Sequence, residues 1–127
     1  MLIHISLTQL DMLEGKETLL ADGTGDLKGD RLVYRELQAP GYLHEVTFTD
    51  REIILKRKAE ITSITKLTPM RPSESVVESP FGVMKLETRL NSWLKNDDCW
   101  SVEYQVLSGG DIVLHQRLTW NIKGAAE

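Results

Sequence analysis

"WSVEYQVLSGGDIVLHQRLTWNI" runs from Trp100 to Ile122 and carries the clearest alternation in the chain. In the first half Trp100, Val102, Tyr104 and Val106 alternate with Ser101, Glu103 and Gln105. That is the period of a strand with one face buried and one in water. "SGGD" at Ser108–Asp111 supplies a turn, since adjacent glycines accept the left-handed backbone that a tight hairpin demands. Beyond it Ile112, Leu114, Leu118, Trp120 and Ile122 take one face, and His115, Arg117, Thr119 and Asn121 the other. The segment reads as an antiparallel hairpin with one apolar side.

The same grammar continues back along the chain. "GVMKLETRL" puts Met84, Leu86, Thr88 and Leu90 on one face, and "LNSWLKNDD" either extends that strand or makes one helical turn. "TPMRPSES", with Pro69 and Pro72, is a loop inside one domain. "ITSITKL" is rich in β-branched residues, which suit strands. "YLHEVTFTD" and "REIILKRKAE" form a hairpin across Asp50–Arg51. "RLVYREL" is a strand ended by "APG" at Ala39–Gly41, and "KGD" at Lys28–Asp30 leads into it. "ETLLADGTGDLK" is a strand in which Gly23 and Gly25 suggest a bulge or bend. "EGK" at Glu14–Lys16 turns the chain away from a first strand that buries Ile3, Ile5 and Leu7, and "KGAAE" reads as a frayed tail.

At 127 residues the chain is expected to form a single domain, 1–127, large enough for one core. Its 15 Lys and Arg against 19 Asp and Glu give a net charge of −4, which argues against nucleic acid or an anionic membrane as partner. One cysteine, Cys99, excludes an intramolecular disulfide and a cysteine metal cluster. "MLIHISLTQL" lacks the marks of a signal peptide, and no apolar run approaches the roughly 20 residues of a membrane helix. A cytoplasmic location is expected.

About ten strands joined mostly by short turns predict an all-β, antiparallel up-and-down meander. Such a meander leaves two edges, and closing it into a barrel of about 8–10 strands removes them by pairing the first strand with the last. Several co-linear stretches resemble the YwiB-like family of small bacterial β-barrels. They are "DGTGDL", "YRE" at Tyr34–Glu36, "VTFTDREIILKR" ending at Arg57, "SPFGVMKLET" at Ser79–Thr88, "VEYQVL" at Val102–Leu107 and "LHQRLTWNI". Where that pattern has glycine two residues after the arginine, this chain has Ala59. The resemblance implies a calycin (lipocalin-like) barrel; it brings no activity with it.

Motifs for catalysis or metal binding are not expected. His4, His44 and His115 have no HxH or HExxH spacing; His4 and His115 fall on the outer face, on strands whose pairing would allow a contact. Cys99 follows Asp97 and Asp98, which work against a thiolate. Ser6, Ser63 and Ser101 lack a nucleophile-elbow context. "DGTGD" has no Walker lysine and no following helix, and "NDD" at Asn96–Asp98 is only a fragment of a calcium loop. No cofactor, no metal and no enzymatic activity are expected.

The inner face is more informative. Leu32, Tyr34 and Glu36 alternate together, as do His44, Val46 and Phe48. Arg57 shares a face with Ile53, Leu55 and Ala59, and Gln116 interrupts Leu114 and Leu118. Pointing inward, Tyr34, Glu36, Arg57 and Gln116 would stand together in an apolar wall. A buried guanidinium needs a carboxylate or hydrogen bonds, and Glu36 is the expected partner. Two readings are open. In one, the lumen binds a small, partly apolar or amphipathic ligand, with Arg57 hooking an anionic group. In the other, side chains such as Trp100, Trp120, Tyr104, Phe48 and Met84 fill the lumen, and the barrel is a structural or interaction protein, a homodimer among its forms.

Overall fold

Residues 1–35 and 41–124 are described by the structure, a computed structural model. Among them the alternating segments form ten strands: β1 (Leu2–Asp11), β2 (Lys16–Lys28), β3 (Arg31–Arg35), β4 (Leu43–Phe48), β5 (Ile53–Lys58), β6 (Thr62–Leu67), β7 (Ser73–Ser79), β8 (Gly82–Lys95), β9 (Cys99–Ser108) and β10 (Asp111–Gly124). Each pairs antiparallel with its neighbour in sequence, and β10 returns to β1, closing the barrel. Ile5 stands opposite Ile122 and Leu7 opposite Trp120, so the apolar faces of the first and last strands meet as the alternation requires. No helix among the described residues is long and apolar enough to cross a membrane.

The β9–β10 turn uses Gly109 and Gly110 at φ 58° and 88°, the left-handed pair that matches strand twist in a two-residue hairpin. The β4–β5 turn is held by Thr49, whose Oγ1 donates to the Glu52 carbonyl at 3.0 Å and accepts from the Glu52 amide at 3.2 Å. Ala59, at the site of the expected glycine, has no left-handed backbone.

One open reading is decided and three readings change. "LNSWLK" continues β8 as strand, and the register slips between Leu90 and Ser92, leaving Asn91 as the extra residue. The irregularity in β2 falls at Leu20, between the pairs Leu7–Ala21 and Thr8–Leu19, and the register runs unbroken through Gly23 and Gly25. Met84 is 53% exposed, because β8 pairs with β9 only from Glu87 onward and its first residues are paired with β7 alone. Ile112 is 46% exposed, because Val113 is an extra residue in β10 and puts Ile112 out of step with Leu114. Glu36, with Ala39 and Pro40 of "APG" and the last three residues of "KGAAE", lies outside the described residues.

Alternating direction puts the turns after β1, β5, β7 and β9 at one end of the barrel, here the upper end, and those after β2, β4, β6 and β8 at the lower end. The lower end is plugged. Phe48 and Trp100 pack edge to face with ring centroids 5.6 Å apart, alongside Leu32, Ile53 and Leu67, all buried. Lys95 covers them: its ammonium lies 5.1 Å from the Trp100 ring and 5.9 Å from the Phe48 ring, pairs with Asp30, and donates to the Phe48 carbonyl at 2.7 Å. This plug separates the base of the barrel from a lumen that is not filled above it.

Candidate ligand site in the barrel lumen

Ladder register assembles one wall of the lumen. Tyr34 on β3 stands opposite His44 on β4, His44 opposite Arg57 on β5, and Arg57 opposite Ser63 on β6. All share the inward parity of the buried Leu32, Val46, Ile53 and Leu67. Cross-strand pairs on one face touch, and the Tyr34 and His44 rings stack with centroids 5.0 Å apart and 11° between planes. On the other side, Gln116 of β10 stands opposite Tyr104 of β9. Between the walls lies a cavity of about 210 Å³, lined with apolar groups by Leu7, Leu20, Val46, Leu55, Leu118 and Trp120. The bulge at Leu20 brings that side chain into the lining.

The polar groups inside are held by hydrogen bonds. Trp120 Nε1 donates to Tyr34 Oη at 2.9 Å, and Gln116 Nε2 donates to Tyr104 Oη at 2.6 Å. Gln9 Nε2 donates to Gln116 Oε1. Thr65, also in the lining, shares a 2.8 Å hydroxyl–hydroxyl bond with Ser75. Burial pushes the Tyr104 phenol up to about 12, against the opposing pull of the Gln116 bond, so it stays protonated at neutral pH. Glu45 borders the cavity, but its carboxylate is engaged by Arg31.

Tyr34, Arg57 and Gln116 therefore line one cavity. The fourth residue, Glu36, and with it the expected Arg57–Glu36 pair, lie outside the described residues. Arg57 is half-buried, and its guanidinium lies 5.0 Å from the centre of the Tyr42 ring, a cation–π contact that strand alternation did not anticipate. Alternation alone placed His44 and Tyr104 inside, but their roles needed the register. Gln9 was missed: its strand position gives it inward parity, and only the pairing of β1 with β10 brings it to Gln116.

Groups outside the lumen are engaged in the barrel surface. His4 lies 2.8 Å from Asp22, and His115 lies 3.2 Å from Glu103, which also takes Arg117 at 2.9 Å. The ladder sets His4 opposite Lys123 and His115 opposite Gln105, so the two histidines are not brought together. Among the described residues no group of His, Cys, Asp and Glu is placed to hold a metal ion. Burial, and then Asp98, push the Cys99 thiol up from its ordinary value.

No family model and no curated protein matches the chain. Among solved structures, the ywiB protein from Bacillus subtilis superposes with a TM-score of 0.66 at 14% identity, covering 98% of this chain and 91% of that one. At that identity the likeness is one of fold. The closed ten-stranded antiparallel barrel seen here has the fold of the ywiB protein, as the sequence resemblance implied.

Proposed function

We propose that the chain is a non-enzymatic binding module that takes a small, partly apolar anion into the barrel lumen. The observation that carries this reading is the cavity of about 210 Å³ in which Arg57 and polar groups such as Ser63, Thr65 and Gln116 stand among Leu7, Leu20, Leu55 and Leu118. Small barrels of this kind are built either to be filled by side chains or to hold one small ligand, as calycins do. The plugged lower half follows the first plan, and the upper half leaves room. That room is below the roughly 300–1,000 Å³ of drug-sized sites, so the occupant is a short molecule. Its tail would meet leucines and Trp120, and its charged end would meet Arg57. The test is a titration of the isotope-labelled chain with hexanoate, followed by NMR. Saturable shifts confined to Tyr34, His44, Arg57, Thr65 and Gln116 are expected. Shifts only at outward residues such as His4 and Asp22 would overturn the reading.

A second reading, an interaction barrel that associates with a second copy of itself, is favoured by one observation. Phe81 at the tip of the β7–β8 hairpin is fully exposed, and Val83 and Met84 behind it are more than half exposed. An exposed apolar cluster on a monomer commonly marks a contact surface. Sedimentation velocity separates the cases: a dimer that Phe81→Asp dissociates supports this second reading, and a monomer at high concentration removes it.

A further inference from the structure

The hydrogen bonds behind the cavity run in one direction. Gln9 Nε2 donates to Gln116 Oε1, and Gln116 Nε2 donates to Tyr104 Oη at 2.6 Å. The Gln116 amide is thereby engaged at both ends, and it is buried, at 7% exposure. The phenol at the end of the chain has used its oxygen as acceptor. Its own proton is left to donate. Tyr104 is 5% exposed and lines the cavity, and among the described residues no acceptor stands within hydrogen-bond reach of that proton. A buried donor without an acceptor is costly, so an occupant that supplies one is favoured by more than its own contact.

Several neighbouring polar groups supply no acceptor to the phenol. Arg57 offers only donors. The Trp120 N–H is spent on the Tyr34 oxygen, and the Thr65 hydroxyl is tied to Ser75. The carboxylate nearest the lining, that of Glu45, is turned to Arg31. The Tyr104 phenol thus presents a donor to the cavity and asks for an acceptor.

Resting on the lumen reading proposed above, we infer that Tyr104 sets the headgroup selectivity of the cavity. Its phenol donates to one oxygen of a carboxylate and discriminates against headgroups that are themselves donors. Gln9 and Gln116 act as positioning residues that hold the phenol in its donating sense. Removing the hydroxyl would then cost affinity for carboxylates and none for amines.

Hexanoate, hexanamide and hexylamine share a tail and differ at the head, so titrating each into the full chain by NMR tests the inference. Hexanoate is expected to bind tightest and hexylamine weakest. Tyr104→Phe should weaken hexanoate about tenfold, the worth of one hydrogen bond to a charged group, and leave hexylamine unchanged. Gln9→Met, at a residue outside the cavity lining, should weaken hexanoate in the same direction by less and again spare hexylamine, a selectivity change that a merely structural role would not produce. If Tyr104→Phe does not fold, Gln9→Met decides, and an unchanged hexanoate affinity there overturns the inference. Equal binding of hexanoate by wild type and Tyr104→Phe overturns it while the lumen reading stands. A preference of the wild type for hexylamine overturns it too, because the phenol oxygen would then face the occupant. Failure of every head to bind removes both.

Discussion

The indole N–H of Trp120 donates to the phenol oxygen of Tyr34 at 2.9 Å, tying the last strand to the third across β1 and β2. Both residues are buried, and an indole can only donate. Tyr34→Phe therefore strands a buried N–H at almost constant volume. The expected loss is about 1–3 kcal/mol, read from chemical denaturation. A loss within the range of ordinary surface changes, about 0.5 kcal/mol or less, would show that the bond does not hold the lumen together.

Barrel closure makes a sharper contrast between neighbours on β1. Ile5 is 1% exposed and faces Ile122, whereas Ser6 points outward opposite Asn121. Ile5→Ala is expected to cost about 2–5 kcal/mol by leaving a cavity in the seam. Ser6→Ala should stay within about 0.5 kcal/mol. Equal effects in thermal melts would mean that the seam is not packed in this register.

The two glycines of "DGTGD" are expected to respond differently to a methyl group. A Cβ at Gly25 would sit 3.0 Å from the Val33 carbonyl oxygen, 3.2 Å from Ile5 Cγ2 and 3.3 Å from Ile3 Cδ1. A backbone oxygen yields little, so Gly25→Ala should destabilise by about 1–3 kcal/mol, the usual cost of overpacking. A Cβ at Gly23 meets nothing within 4 Å, so Gly23→Ala should be neutral or stabilise by up to about 1 kcal/mol. Denaturation midpoints of the two variants check the order; a reversal would place the close approach at the wrong residue.

Acid should act through Glu103. Hydrogen bonds from His115 and then from Arg117 hold its carboxyl below the ordinary value of 4.5. A depressed folded pKa contributes stability that is complete above the unfolded value and is lost as pH falls through the folded one. Wild type should therefore lose stability more steeply than Glu103→Gln as pH drops below about 4.5. Parallel curves for the two proteins over that range would contradict the assignment.

Strand alternation made the fold legible because burial of one face imposes the period directly. Trp100, Val102 and Tyr104 against Ile5 and Leu7 required no knowledge of partners. What could not be read was the phase at bulges. One extra residue at Leu20, Asn91 or Val113 reverses the facing of the residues beyond it, and nothing in those side chains announces it. The candidate site was legible to the same extent. Tyr34, Arg57 and Gln116 could be assigned to the inner face, since polar residues interrupt an apolar alternation there. The Gln9–Gln116–Tyr104 chain and the Arg57–Tyr42 contact depend on register and loop path, which alternation does not encode.

We propose the unfilled upper lumen as the place where a small anion binds. Ser63 lines that cavity beside Arg57, so Ser63→Phe should fill it without disturbing the plugged lower end. The decisive measurement is the shift in melting temperature caused by hexanoate, because a ligand that binds only the folded state raises it. Wild type is expected to show a concentration-dependent rise, and Ser63→Phe to melt cooperatively with no rise at any hexanoate concentration. An equal rise in both proteins would place the binding outside the lumen and contradict the account.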